Sequence, residues 1–468
     1  MTRRQLLAGG LAYTQRSFAS ARIESSGMFL EECGVDGETR KDGVFPAHPN
    51  GIRLGKNRFL LVYATRGFRG VDEDRSIIYQ VRSSSFAGRV LKEGILARSI
   101  DDWRPLDDGR LYKKNNGSPT VFGVPKGARI HGKVPPNANL FVAKWYQHAR
   151  AFAESGRLIK ATESLDLMEK TLHVEATQFR LNNAGDDIEI LQPPAALRQK
   201  GYETGEAMCS ASPRGDMNQS FVNPVPFNTD LTEWIDCHHF GWSDPKHPGG
   251  NRIAAIKFRY SPKRHRYEWV ETGPVLFYPE YSAIEASTIR LKDSWAIGAR
   301  AQQKGLPVLW LRSEDPFSSK PKYISSEVSE QHPPSSGPMT AYLCADGVIR
   351  LLSGDGRESP YRIARNPLYC WEVNPDRGFA LSNRRVVIDL LQAGLPIRRE
   401  AGPVADMAKV LPHSGGREQL ILHRVRTTAI GVPNPDRKLA TDSEKRVHGI
   451  YSAHLLFEED QADTWDFA

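Results

Sequence analysis

Two distant segments of the chain carry charged residues that could bind an anion and transfer a proton. Glu285 and Arg300 lie at the two ends of one segment. Arg53 and Asp72 lie in another, far earlier in the chain. A guanidinium can bind a carboxylate through two parallel hydrogen bonds, and a carboxyl group can act as a general acid or base. These four residues are therefore the first candidates for chemistry.

The segment from Glu285 to Arg300 predicts a β-hairpin. A two-residue turn at 292–293 would pair Leu291 with Ser294, and counting outward from that turn pairs Glu285 with Arg300. Cross-strand neighbours have Cβ atoms about 5 Å apart, so the guanidinium could hold the carboxylate ionised. An ordinary cross-strand salt bridge fits the same pattern, and the hairpin alone does not separate the two interpretations.

The elements that must position these residues are short strands. The chain has 468 residues, of which 40% are hydrophobic, so it can bury a large core as one or two domains. Apolar runs of strand length recur between Gly, Pro, Asn and Asp, which is typical of a sandwich, a barrel or a propeller. The length favours a six-bladed β-propeller, in which loops from different blades converge on the axis. That convergence would bring Arg53 and Asp72 to the Glu285 hairpin.

One part of the chain has a helical rather than a strand pattern. Apolar residues recur at three- or four-residue steps over 140–158 and 165–172. This spacing predicts a small helical insertion, at about 140–172, in an otherwise all-β chain. We interpret His148 and His173 as packing or surface residues, because no carboxylate or cysteine lies nearby at metal-ligand spacing.

The first 21 residues have the order of a twin-arginine export signal. Residues 2–7 (TRRQLL) match the arginine motif, a short apolar stretch follows, and residues 19–21 (ASA) form a small-residue cleavage site. We therefore predict a signal peptide at 1–21, a mature domain at 22–468, and a periplasmic or secreted protein.

The charge of the mature chain argues against some partners. The net charge of +8 falls to +5 when the three arginines of the signal are removed. The basic residues are dispersed, so no nucleic-acid partner is predicted. No apolar run reaches the roughly 20 residues that span a bilayer, so we expect a soluble mature chain with no integral membrane segment.

The cysteines and histidines predict neither a disulfide framework nor a metal or cofactor site. The five cysteines are odd in number and widely spaced. The run 237–239 (CHH) attracts attention as a possible metal cluster. Adjacent residues of a strand point to opposite faces, however, and no second pair of ligands is evident.

The order of the charged blocks resembles that of the sialidase superfamily of Asp-box six-bladed propellers. Arg53 in GIRL resembles the family's first-strand arginine, and Asp72 follows at the matching place in a glycine-rich loop. The block from Glu285 to Arg300 resembles the family's Glu-x-Ser and Asn-Ala-Arg block, and Arg365 is similar to its third arginine. The segment ARSIDDW also resembles a degenerate Asp-box turn.

This resemblance implies an exo-acting glycosidase for a carboxylate-bearing sugar such as a sialic acid. Arg53, Arg300 and Arg365 would bind the sugar carboxylate. Asp72 would be the acid/base, and Glu285 would act as the base for a tyrosine nucleophile.

The expected tyrosine is missing, which leaves other mechanisms open. The similar segment reads GPVAD, with Val404 in the tyrosine position. Tyr281, Tyr361 or Tyr451 could replace it only if the fold brought a hydroxyl group to Glu285. Without a nucleophile, Asp72 and Glu285 could act as the carboxylate pair of an inverting hydrolase.

Two further functions fit the same pattern. One is a non-catalytic glycan-binding propeller that kept the arginines. The other is a propeller polysaccharide lyase acting on uronate glycans through His131 and His148.

Overall fold

The computed structural model is all-β over the residues that it describes. Apart from one 3-10 turn at Pro375–Arg377, the regular elements of this part of the chain are strands. No helix within it is long and apolar enough to cross a bilayer. The described residues are 31–32, 44–67, 74–98, 104–105, 111–124, 140–152, 173–197, 233–244, 247–261, 263, 266–276, 283–301, 308–318, 323–324, 339–344, 346–355, 366–399, 402–412, 418–427 and 448–456.

The described strands form six antiparallel sheets, numbered here in chain order. A short strand near the N-terminus, β1 (Glu31–Glu32), belongs to the last of them. The first sheet contains β2 (Val44–Gly55), β3 (Arg58–Gly67), β4 (Asp74–Ser83) and β5 (Val90–Ala97). The second contains β6 (Arg104–Pro105), β7 (Leu111–Gly123), β8 (Phe141–Phe152), β9 (His173–Leu181) and β10 (Ile188–Leu197). The third contains β11 (Glu233–Asp244), β12 (His247–Ser261) and β13 (Arg266–Val275).

The second half of the chain forms the other three sheets. The fourth contains β14 (Ala283–Arg290), β15 (Trp295–Ala301), β16 (Leu309–Ser313) and β17 (Tyr323–Ile324). The fifth contains β18 (Thr340–Leu343), β19 (Ile349–Ser353), β20 (Leu368–Asn374) and β21 (Ala380–Ile388). The sixth contains β22 (Pro403–Pro412), β23 (Glu418–Thr427) and β24 (Gly449–Leu456), with β1 paired to β24.

The six sheets form a closed ring, which is the architecture of a β-propeller. The apolar core is divided into six clusters, and each cluster lies between two sheets that are neighbours in the ring. Between the second and third sheets, for example, Phe122 meets Trp234 edge to face with ring centroids 5.1 Å apart. Strand β2 contacts both β7 and β22, and β14 contacts both β11 and β18. We call β2, β7, β11, β14, β18 and β22 the innermost strands.

The sixth sheet contains strands from both ends of the described chain. Glu31 is paired with Ser452 and Glu32 with Tyr451, so β1 adds a fourth strand beside β24. Ile450 on β24 packs in turn against Phe59 and Tyr63 of the first sheet. Backbone pairing therefore joins the N-terminal strand to the last sheet, and apolar contact joins the last sheet to the first.

The predicted helix over the start of 140–172 is wrong where the structure describes it. Residues 141–152 form β8, a strand bonded on both sides, to β7 and to β9. Phe141 to Trp145 are buried without interruption. A strand that is buried on both faces lacks the alternation of apolar and polar residues by which strands are identified. The large apolar side chains of β8 happen to recur at three- or four-residue steps, which is the spacing expected of a helix. Residues 153–172 lie outside the described part.

Two other predictions fall on parts of the chain that are not described. The signal peptide at 1–21 is one of them. Of the Asp-box-like segment, residues 99–103 are not described, and Ala97 is the last residue of β5.

We predict that Gly298 cannot accept a side chain without repacking of the core between the fourth and fifth sheets. A Cβ atom there would lie 2.9 Å from Cζ3 of Trp310 and 3.2 Å from Cε of Met339. Overpacking of this kind costs about 1–3 kcal/mol, so Gly298→Val should lower the free energy of unfolding by that amount in chemical denaturation. Gly55→Ala is the control, because nothing lies within 4 Å of its Cβ position. Equal stability of the two variants would contradict the packing described here.

Candidate functional site

Four innermost strands break their regular pairing a few residues before they end. The register shifts lie between Ala47 and Asn50, Gly117 and Thr120, Ile284 and Ser287, and Asp406 and Lys409. A bulge inserts an extra residue, bends the strand and redirects a side chain. The centre of the ring is therefore lined at one level by residues that regular strands would not direct there.

Three of these bulges hold a polar residue in the left-handed backbone conformation. The φ angles are +50° for His48, +46° for Ser118 and +54° for Glu285. For residues other than glycine this conformation costs about 1–3 kcal/mol and persists only where the surrounding structure imposes it. Its recurrence on three innermost strands marks this level of the ring as a candidate functional site.

Glu285 and Arg300 form the predicted ion pair, with a different backbone register. The hairpin turn is confirmed, because the N–H of Leu291 donates to the carbonyl of Ser294 at 2.8 Å. The bulge then pairs Arg300 with Ile284 rather than with Glu285. Nη1 of Arg300 nevertheless donates to Oε2 of Glu285 at 2.8 Å. The Glu285 side chain is 11% exposed and that of Arg300 is 21% exposed, so solvent reaches both.

A lysine of the sixth sheet, Lys409, is buried on an innermost strand. Lys409 follows the bulge of β22 and is buried. Burial lowers the pKa of its amine well below the ordinary lysine value. The charge of Glu285 opposes that shift, and the charge of Lys144 adds to it. The strand is fixed to the fifth sheet by Oγ1 of Thr340, which donates to the carbonyl of Ala408 at 2.6 Å.

A second buried ionic group joins the second and third sheets. Nζ of Lys144 on β8 contacts Oδ2 of Asp236 on β11, and both side chains are fully buried. Nε2 of His238 lies 3.2 Å from the same oxygen. Burial lowers the pKa of Lys144 to about 7, whereas direct contact with a carboxylate favours its charged form. Burial and the Lys144 charge lower the pKa of His238 well below its usual range, so His238 is neutral at neutral pH.

The first and second sheets are connected by hydrogen bonds between two bulge residues. Nδ1 of His48 lies 3.3 Å from the backbone nitrogen of Ser118 and 3.3 Å from its Oγ. The backbone N–H can only donate, so Nδ1 accepts from it and His48 carries its proton on Nε2 when neutral. Together with Asn50, Asn116 and Thr120, which are also buried, these residues make the centre of the ring polar.

Arg53 lies on the innermost strand β2, three residues beyond its bulge and beside the hairpin that leads to β3. Its Nε donates to the carbonyl of Gly55 at 3.3 Å. Asp72 and Arg365 lie outside the described residues.

Of the three tyrosines proposed as substitutes, the structure describes one. Tyr451 lies on β24 and packs in the apolar cluster between the fifth and sixth sheets. Tyr281 and Tyr361 are not described. Val404, in the position where the resemblance expects tyrosine, is fully buried on β22.

The histidine and cysteine predictions can be followed only in part. His131 lies outside the described residues, and of His148 only the backbone pairing with Asn115 is described. Cys237 and His238 point to opposite faces: the thiol lies in the cluster between the third and fourth sheets, and His238 contacts Asp236. In the part of the chain that the structure describes, no three histidine, cysteine or acidic side chains are grouped as a metal site requires.

Sequence reasoning missed Lys144, Asp236 and Lys409. Each lies within a run of residues with strand propensity, and a charged residue inside an apolar run is the one signal that could have identified it. Lysines are ordinarily solvated, however, so the runs containing Lys144 and Lys409 do not by themselves predict burial. Asp236 directly precedes Cys237 and His238, and the sequence pattern drew a prediction only for the cysteine and the histidines.

Comparison of the fold with solved structures identifies its architecture. The microbial sialidase Hz136 from a Hadza source aligns with a TM-score of 0.52 and 12% sequence identity, over 88% of this chain and 66% of that one. The chain has the β-propeller fold of a sialidase. A protein of unknown function from Dyadobacter fermentans aligns with a TM-score of 0.48 and 14% identity, over 89% of this chain and 96% of that one. The GH93 α-L-arabinofuranosidase of Fusarium graminearum aligns with a TM-score of 0.46 and 12% sequence identity, over 92% of this chain and 98% of that one.

Sequence comparisons identify no relative for this propeller. No protein-family model matches the chain, and no curated protein matches it in sequence.

We predict that the buried Lys144 and Asp236 depend on each other. Lys144→Met leaves the Asp236 carboxylate buried without its cation, which should cost about 3–5 kcal/mol of unfolding free energy in chemical denaturation. The double variant Lys144→Met with Asp236→Leu should recover a large part of that loss, because no charge is then left buried. The control is Lys257→Met, since Lys257 pairs with the half-exposed Glu271 at the surface, and it should cost less than about 1 kcal/mol. A Lys144→Met variant as stable as this control would contradict the assignment.

Proposed function

We propose that the protein is an exported glycoside hydrolase with a six-bladed, sialidase-like propeller that acts on a sugar bearing a carboxylate. The single observation that carries this proposal is the Glu285–Arg300 pair, which is partly exposed at the centre of the ring. A guanidinium there can bind an anionic substituent, and a carboxylate there can stabilise the positive charge that develops on the sugar ring. The named sialidase with the same fold supports this class of reaction.

Arg300 and Glu285 take different roles in this proposal. Arg300 has five N–H donors and uses one of them on Glu285. Its remaining donors are available to a substrate carboxylate, which would bind in a fixed orientation. Arg365 is proposed as a second arginine for the same group. Arg53 on β2 is proposed as a further arginine for this group, and its Nε donates to the carbonyl of Gly55 in the described structure.

Asp72 is proposed as the acid/base that protonates the leaving oxygen or activates water. A general acid must be protonated when the substrate binds, so its pKa has to lie near the working pH. Glu285 would remain ionised beside the guanidinium of Arg300. Two carboxyl groups with opposite protonation are the pair that a glycosidase requires, and because Val404 takes the tyrosine position of the family resemblance we favour inversion by a water molecule.

A non-catalytic glycan-binding propeller is the second candidate. The observation that favours it is the buried Val404, which leaves no nucleophile in the position that the family resemblance indicates. Such a protein would bind the same anionic glycans through Arg300 without cleaving them.

We predict hydrolysis of at least one aryl α-sialoside or aryl uronide by the purified mature protein. Asp72→Asn and Glu285→Gln should each lower kcat by about 10²–10⁴-fold, which is the usual contribution of a positioned acid or base. The measurement is fluorophore release across a substrate panel, with circular dichroism to verify folding. Release that is unaffected by both substitutions would overturn the proposal. Binding of the glycans without release would favour the second candidate.

We also predict that Arg300 determines substrate affinity. Arg300→Met should raise KM for an anionic substrate by about 10–100-fold, because loss of a charged hydrogen bond costs about 1.5–3 kcal/mol. Arg312→Met is the matched control and should leave KM within about twofold, because its side chain pairs with the exposed Asp376 at the surface. Equal effects of the two substitutions would contradict the site described here.

A further inference from the structure

We propose that Ser287 is a positioning residue that acts through Glu285. Its side chain ties the bulge of β14 to the fifth sheet and so fixes the place of the Glu285 carboxylate beside Arg300. The role of Ser287 in catalysis rests on the proposed function, whereas its role in placing Glu285 does not.

The first support is a buried hydrogen bond between the bulge and the neighbouring sheet. The backbone N–H of Ala341 on β18 donates to Oγ of Ser287 at 3.0 Å. Ser287 is 0% exposed, so water does not compete for this bond. It is also the residue at which β14 resumes regular pairing after the bulge, opposite Gly298. The bond therefore fixes the end of the bulge against a strand of another sheet.

The second support is the change of side-chain direction across the bulge. Ala283 and Ala286 are three residues apart, yet both lie in the apolar cluster between the third and fourth sheets. In a regular strand, residues three apart point to opposite faces, so the bulge takes up one extra residue. Ile289 lies in the cluster between the fourth and fifth sheets. Without the bulge, Glu285 would point to the same face as Ser287 and Ile289, into that apolar cluster.

The third support is that similar bonds hold the bulges of other sheets. Nδ1 of His48 in the bulge of β2 accepts from the N–H of Ser118 on β7. Oγ1 of Thr340 on β18 donates to the carbonyl of Ala408 in the bulge of β22. Each of these bonds, like that of Ser287, joins an innermost strand to the next one in the ring. The polar level of the ring is thus held by bonds between sheets as well as within them.

The bond of Ser287 matters because the bulge is strained. Glu285 has a φ angle of +54°, and for a residue other than glycine this conformation persists only where the surrounding structure imposes it. Regular pairing counted from the hairpin turn would place Glu285 opposite Arg300 and would not need it. Loss of the Ser287 bond therefore favours a return to regular pairing. The carboxylate would then move from the centre of the ring toward the apolar cluster between the fourth and fifth sheets.

The test is a crystal structure of Ser287→Ala beside those of the parent protein and of Thr340→Val. Ser287→Ala should lose the left-handed backbone at Glu285 and displace its carboxylate by about 1 Å or more, a misplacement that can cost about 10²-fold in rate. Thr340→Val is the matched control, because it removes another buried bond of β18 and leaves that of Ser287 in place. It should keep Glu285 and Arg300 as in the parent.

Two structural results would overturn the proposal. One is a Ser287→Ala protein that keeps the parent φ angle at Glu285 and the parent contact with Arg300. The other is an equal displacement of Glu285 in Thr340→Val, which would show a general loosening of β18. If Ser287→Ala does not fold, Ser287→Cys takes its place, since a thiol is a weak acceptor and should displace the carboxylate in the same direction. Parent geometry in Ser287→Cys would then assign Ser287 to folding alone.

Kinetics separate a failure of this role from a failure of the proposed function. If the protein hydrolyses an anionic glycoside, Ser287→Ala should lower kcat by about 10–100-fold and leave KM within about threefold, because Arg300 still binds the substrate. Thr340→Val should leave both parameters within about twofold of the parent. Displacement of Glu285 in a protein whose parent hydrolyses nothing would refute the function and retain the role of Ser287. Hydrolysis with an unchanged kcat in Ser287→Ala would show that Ser287 does not act through Glu285.

Discussion

Burial of charge at the centre of the ring determines how the sheets of this protein depend on one another. An ion removed from water needs a partner of opposite charge and satisfied hydrogen bonds, or it costs several kcal/mol. In the described pair the partners come from different sheets, because Asp236 of the third sheet compensates Lys144 of the second. Neither of these two sheets alone would retain this pair.

The bulges make this arrangement possible. A regular innermost strand directs every second side chain into the core between sheets, where a carboxylate would be isolated among apolar residues. The extra residue at Glu285 and its left-handed backbone turn the side chain toward Arg300, which is paired with Ile284. His48 and Ser118 use the same device on the first two sheets and bond to each other. Strained backbone at equivalent places on three strands indicates a shared requirement for polar groups at this level.

The hairpin of the fourth sheet could be predicted because its information is local. The two-residue turn sets the register of the strands on either side, and Glu285 and Arg300 follow by counting. The bulge was not predictable in this way, because counting from the turn assumes regular pairing, whereas the backbone of Arg300 is paired with Ile284.

The strand β8 and the two buried lysines could not be predicted, because their burial depends on sheets that are distant in the sequence. Phe141 to Trp145 are covered on both faces, so the periodicity that distinguishes a strand from a helix is absent. Lys144 and Lys409 have the sequence surroundings of solvated lysines, and only the ring closure buries them. The propeller architecture itself could be predicted from the sequence. Many short strands separated by turn residues are compatible with only a few folds, and they limit the choice more than any single motif does.

The charge around Glu285 also bears on the chemistry that the site could perform. A carboxylate that serves as a base for a tyrosine must accept a proton during the reaction. Arg300 favours its ionised form and so opposes that step. An ionised carboxylate is instead suited to stabilise an oxocarbenium-like transition state, where positive charge develops on the sugar. Valine rather than tyrosine at position 404 is consistent with such a role for Glu285.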